Sequence, residues 1–251
     1  MPYRRTARPG ALQATPAHPI HAYWGWTSSC SSAPYSEEMD GLARFDDEFR
    51  RKFRELLIWR RDVRRFLRTP LPPGLLDELL GLSSLAPSVG LSEPWRYIRV
   101  ETPAVRERIT AEFERANAAA LSGLTGDRAA LYARLKLAGL REAPVHLAVF
   151  TDHGTAKGHG LGRQSMPETL DYSVVTAIHT LWLAARTVGV GLGWVSILDP
   201  AQVSCILDVP GNWSFTAYLC MGYPEEEMDF PELERAGWER RTGVEQSILT
   251  R

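Results

Sequence analysis

From about Glu168 to Val188 the chain is apolar almost all the way round a helix. Val174, Val175, Ile178, Leu181, Trp182 and Leu183 leave no polar stripe wide enough to face water. Such a helix has to be enclosed, so the segment predicts a central buried helix with a domain built around it. Ser165-Met166-Pro167-Glu168 reads as its capping box, serine and glutamate satisfying reciprocal backbone donors. No apolar run in the chain approaches the ~18–20 residues that span a bilayer, so no membrane partner is expected.

The enclosing elements follow from periodicity. Phe45, Phe49, Phe53, Leu56 and Leu57 recur at helical spacing, with Arg50, Arg51, Lys52 and Arg54 largely between them, giving an amphipathic helix that ends near Trp59. Helices are predicted over about 75–85, 103–120 and 127–140, the second started by Thr102-Pro103. Strands are predicted at 95–101, 145–150, 191–197 and 213–221; Val145 to Phe150 is compact and apolar enough to be buried on both faces. Between them, Ala86 to Pro94 is a loop by composition, and the Gly-rich stretch 152–164 is long enough to suggest a lid or binding loop.

Composition narrows the function classes. A net charge of -1 gives no global basic field, which argues against a general nucleic-acid binder and makes any phosphate recognition local. Cys30, Cys205 and Cys220 are odd in number and scattered, so they form neither a disulfide framework nor a metal motif. They read as small buried hydrophobes plus one tail thiol, in a reducing, cytoplasmic setting. Residues 1–38, broken by five prolines, are expected to be a disordered N-terminal extension, with Met39 an alternative start and 39–251 one domain.

The segment Arg60-Arg61-Asp62-Val63-Arg64-Arg65 carries the chemistry. Guanidinium groups present planar donor forks that match phosphate oxygens. Because Arg60/Arg64 and Arg61/Arg65 are four apart, a solvated helix face competes with that reading. Asp62 inside the cluster and the loop signals downstream favour a phosphate clamp. Gly189-Val190-Gly191-Leu192-Gly193 follows a helix and enters a strand, the reverse of a dinucleotide fingerprint. It reads as a helix C-cap followed by a strand whose glycines let a ligand approach the backbone. Asp152, His153 and His159 fit no zinc spacing, so no metal is expected, and His146 and His179 read as packing histidines. No Ser/His/Asp set or Gly-x-Ser-x-Gly elbow is recognisable from spacing.

Three segments together, Arg60 to Phe66, Ala86 to Trp95 and Arg163 to Thr169, resemble the FMN-dependent nitroreductase superfamily, and within it the 5,6-dimethylbenzimidazole synthase branch. Asp62 and Leu91 carry the branch signal, since generic members have serine or a similar residue and asparagine there. The resemblance covers about Phe45 to Arg241. It implies an α+β, three-layer fold: a mixed, mainly antiparallel central sheet flanked by helices, in a homodimer with flavin at the subunit interface.

It also implies that FMN is held by Arg60, Arg61, Asp62, Val63, Arg64, Ser88, Ser196 and Arg241, with Asp62 and Ser196 catalytic. The implied reaction consumes reduced FMN with dioxygen to release 5,6-dimethylbenzimidazole, the lower ligand of vitamin B12, with reduced flavin supplied by the site itself or by an external flavin reductase. Asp62 would exchange protons during the fragmentation, and Ser196 would steer the ring by hydrogen bonding. Two departures stand out: Glu93 replaces the family's usual glutamine, and Thr242-Gly243-Val244 replaces its proline-leucine sequel. The competing readings are a nicotinamide-dependent FMN reductase of nitroaromatics, quinones or halogenated aromatics, and a non-catalytic flavin-binding protein.

Overall fold

Alternation along one strand sets the layering. In β2 (Val145–Asp152), Leu147 and Val149 face one core while Ala148 and Phe150 face another, all of them fully buried. The computed structural model describes residues 45–135 and 137–251, so the expected extension 1–38 and Cys30 lie outside the described residues. Residues 45–240 form one unit; 241–251 belong to a separate one, where Val244–Ser247 makes a short 3-10 turn.

The elements before β2 are α1 (Asp47–Trp59), α2 (Leu75–Ser83), β1 (Trp95–Arg99), α3 (Pro103–Ser122) and α4 (Gly126–Tyr132). After it come α5 (Thr169–Thr187), β3 (Gly191–Val195), α6 (Pro200–Leu207), β4 (Trp213–Gly222) and α7 (Glu232–Arg235). The strands pair antiparallel in the order β1-β2-β4-β3, with a bulge between Val149 and Phe150. A parallel bridge from Asp62 to Leu192 adds the mixed character. Residues of α2 and α5 fill the core on one face; Phe66, Ile109 of α3 and Val203 of α6 fill the other. This is the three-layer α+β architecture the resemblance implied.

The predicted central helix is α5, whose buried positions Leu170, Val174, Ala177, Ile178, Leu181 and Ala185 recur at helical spacing. It is not enclosed all round, since Tyr172 and Val175 are exposed. Its C-terminus closes in a Schellman motif: Val190 N–H donates to Ala185 O (3.0 Å), Gly189 N–H to Arg186 O (3.1 Å), and Gly189 is left-handed.

Three expectations need correction, and one helix was not foreseen. The capping box does not form: Glu168 makes no side-chain cap, and Thr169 N–H bonds to Met166 O (3.0 Å), a turn that already serves the helix start. The helix expected over 127–140 ends at Tyr132, because Leu140 and Ala143 are drawn into the core and Phe66 packs flat on Gly139. α6 was unforeseen, although Asp199 caps Ala201 and Gln202 N–H with Pro200 at the first position. Cys205, on that helix, is exposed, whereas buried Cys220 has its thiol pushed up to about 12 by desolvation.

Candidate functional site

At Arg60 the backbone turns extended (φ -70, ψ 115), so the arginine segment is not a helix face. It leaves α1 and runs beside β3, where Val63 N–H donates to Leu192 O (3.0 Å). The β3 glycines make room for it: a Cβ on Gly193 would lie 2.0 Å from Val63 O, and one on Gly191 2.7 Å from the Val63 side chain. The close approach foreseen for these glycines is therefore made to the chain's own segment rather than to a ligand. Farther on, Phe66 is buried and bridges Pro224, with Leu67 N–H on Tyr223 O (2.8 Å).

Asp62 is held at both carboxylate oxygens. Oδ1 accepts Trp194 N–H and Oδ2 accepts Arg64 Nε–H, each at 2.9 Å. Both side chains are largely withdrawn from solvent, Arg64 at 12% and Asp62 at 32% exposure, so the pair is less screened than a surface ion pair. Arg61, Asp62, Arg64 and Arg65 line one cleft together with Arg235, Phe230 and two carboxylates. Those carboxylates come from an acidic strap the sequence reading missed: Glu232 pairs with Arg65, and Glu226 stands 3.7 Å from Arg235. The signal was available in Glu225-Glu226-Glu227, a charge run complementary to the arginines.

Ser88 lies on the loop between α2 and β1. Its hydroxyl accepts Glu93 N–H (3.1 Å), and the loop is tied to the first half of α5 by Val89 N–H on Ser173 Oγ (3.0 Å) and Thr176 Oγ–H on Pro87 O (2.9 Å). The arginine segment instead meets α5 at Trp182, nine residues farther along, or roughly 14 Å at 1.5 Å per residue. Within one chain the two groups therefore occupy opposite stretches of the same helix. Ser196 follows the end of β3 and is exposed. Arg241 begins the separate C-terminal unit.

The Gly-rich stretch 152–164 is docked on the Ser88 loop. Lys157 pairs with Glu93, Thr155 Oγ–H bonds to Ser92 O (3.4 Å), and Arg163 Nη1–H to Thr155 O (2.6 Å). Near it, His153 Nε2 meets Ser214 Oγ (2.8 Å) and Asp171 Oδ1 (3.6 Å). Both partners address the same ring nitrogen, so the trio lacks the relay geometry of a nucleophilic triad. No helix among the described residues is long and apolar enough to cross a membrane.

Comparison with known proteins agrees with this geometry. The family described as the nitroreductase family matches residues 57–223. The 5,6-dimethylbenzimidazole synthase of Rhodospirillum rubrum is 56% identical over 197 residues, covering 78% of this chain and 93% of that protein. A Rhodobacter capsulatus protein of the same name is 50% identical over 201 residues, covering 80% and 97%. Among solved structures, iodotyrosine deiodinase bound to FMN and 3-iodo-L-tyrosine superposes with a TM-score of 0.59 at 25% identity, covering 70% of this chain and 91% of that one. The chain belongs to the nitroreductase family and, within it, to the branch of the 5,6-dimethylbenzimidazole synthases.

Proposed function

We propose that this chain is a 5,6-dimethylbenzimidazole synthase that consumes reduced FMN and dioxygen. The observation that carries the reading is 56% identity along 93% of a protein so named. The arginine cleft supports it independently, because the donor set fits the ligand. Arg61, Arg64, Arg65 and Arg235 line it, three of them now paired with Asp62, Glu232 and Glu226, and a phosphate monoester dianion would take up the planar, charge-assisted donors that those carboxylates hold. Arg60, next to Arg61 in the chain, is assigned to the phosphate end by the resemblance, and Val63 to the backbone wall of the cleft.

When bound, reduced FMN would supply both the electrons that activate dioxygen and, from its ring and ribityl chain, the carbon atoms of the product. The chain's own residues hold, orient and exchange protons. Asp62, fixed by Trp194 N–H and Arg64, keeps lone pairs on its oxygens for a further donor, so it accepts a proton from the ligand without moving. Ser196, at the mouth of β3, hydrogen-bonds the ring edge. Ser88 Oγ already accepts Glu93 N–H, which leaves its own O–H to donate to the flavin.

The site takes two copies of the chain. The Ser88 loop of one protomer meets the arginine segment of the other, joining groups that lie apart along α5. The apolar face at the start of α1 supports this: Phe49 and Phe53, with Phe45 just ahead of the helix, are stacked on one another yet 44–58% exposed, a patch that marks an interface.

The test supplies chemically reduced FMN to the anaerobic protein, admits air, and follows products by mass spectrometry. Release of 5,6-dimethylbenzimidazole supports the reading. Quantitative recovery of intact flavin, with steady nicotinamide oxidation when an acceptor is added, would replace it with a flavin-using reductase.

A further inference from the structure

Trp182 projects from α5 onto the first two arginines of the segment. Its indole Nε1–H donates to Arg61 O at 3.1 Å, and the Arg60 guanidinium stacks 4.8 Å from its ring centroid. One turn farther along α5, Arg186 lies 6.0 Å from the ring of Trp59 and pairs with Glu227 at 2.7 Å. Trp59, Arg60 and Arg61 are thus laid in order along the Trp182–Arg186 edge of α5, just before Asp62 and Val63 join β3.

We infer that Trp182 is a positioning residue that sets how strongly the site prefers a phosphorylated flavin over the same flavin without phosphate. The inference rests on the flavin reading above. Stacking engages the face of a guanidinium and leaves its N–H donors directed outward along the edge, the orientation a phosphate oxygen needs. The hydrogen bond to Arg61 O fixes the peptide joining Arg61 to Asp62, so one side chain governs two successive arginines through different contacts. Neither contact touches the Asp62 carboxylate or Ser196; that carboxylate is held by Trp194 N–H and Arg64, and the Trp182 ring meets only the side chain of Trp194, 6.5 Å between centroids. Loss of Trp182 therefore weakens recognition of the phosphate more than recognition of the ring.

The test titrates the full-length protein with FMN and with riboflavin, which shares the ring and lacks the phosphate, following quenching of flavin fluorescence. Trp182→Leu removes both contacts; Trp182→Phe keeps a ring and most of the volume but has no N–H, so it carries the test if the leucine variant does not fold. The expected result is an FMN Kd raised about tenfold in Trp182→Leu and several-fold in Trp182→Phe, with the riboflavin Kd within about twofold of the parent's. An equal rise for both flavins, or none for either, would overturn the inference. A parent chain that binds FMN no more tightly than riboflavin would overturn the phosphate reading, and this inference with it.

Discussion

Asp62 accepts the main-chain N–H of Trp194 at 2.9 Å, joining positions 132 residues apart. That bond, with Arg64 on the other carboxylate oxygen, makes Asp62 a strut of the arginine segment, and the proposed function gives it a second role as the base facing the cleft. Substitution separates the two roles. Asp62→Asn keeps an oxygen for Trp194 N–H but has no basic carboxylate, so it should bind FMN within about threefold of the parent and form product at least about tenfold more slowly. Asp62→Ala loses the strut as well and should unfold about 1–2 kcal/mol more easily. Flavin titration, product formation and denaturant melts read these effects; parental turnover by Asp62→Asn would remove the proton-transfer role.

The fit of the arginine segment against β3 depends on a missing side chain. Gly193→Ala would set a Cβ 2.0 Å from Val63 O, and backbone cannot yield as a flexible side chain does. We expect a loss of about 3 kcal/mol together with weakened FMN binding. Gly189→Ala, left-handed but with open space around it, should cost about 1 kcal/mol and leave flavin affinity alone. Matched melts and titrations of the two variants check the contrast; equal loss of affinity in both would contradict it.

Assembly should follow the α1 face. Replacing Phe49 and Phe53 by glutamate places charge on an exposed apolar stripe, which a monomer tolerates and a buried interface does not. Sedimentation should show the double variant as single chains, with FMN affinity reduced at least about tenfold and helical content retained. A variant that stays dimeric and binds flavin normally would place the interface elsewhere.

Buried His146 gives a pH signature. Desolvation, reinforced by nearby Arg106, lowers its pKa from 6.5 to about 4, and its Nδ1 lies 3.0 Å from the Tyr218 hydroxyl. Between those two values the unfolded chain binds a proton that the folded chain refuses. Stability is therefore full above pH 6.5 and falls as the pH drops toward 4, by on the order of 3 kcal/mol. Denaturant melts between pH 4 and 7 should show that slope in the parent and a flatter one in His146→Gln. An equal slope in both would assign the acid sensitivity to other groups.

What the sequence made legible was local. The apolar run of α5, the buried strand β2 and the end of α1 at Trp59 follow from periodicity over a few turns, and each stands where expected. What it hid depended on distant partners. Residues 133–140 have helical composition, yet Phe66, far away in the chain, takes the place beside Gly139 that a regular helix would occupy. The fourfold spacing of the arginines was ambiguous until β3 drew the segment into an extended bridge. Trp182 read as one more apolar position on α5, because its polar edge matters only once Arg61 O lies against it. Ser88 and the arginines were legible as motifs, whereas their separation along α5 required the fold.

Whether FMN is consumed or recycled is decided by a single-turnover balance. Reduced FMN is given in slight deficit to the protein, air is admitted, and remaining flavin and 5,6-dimethylbenzimidazole are quantified together. One molecule of benzimidazole is expected for each molecule of FMN lost, with Asp62→Asn returning its flavin largely intact. Full recovery of oxidised FMN from the parent protein, without benzimidazole, would contradict it.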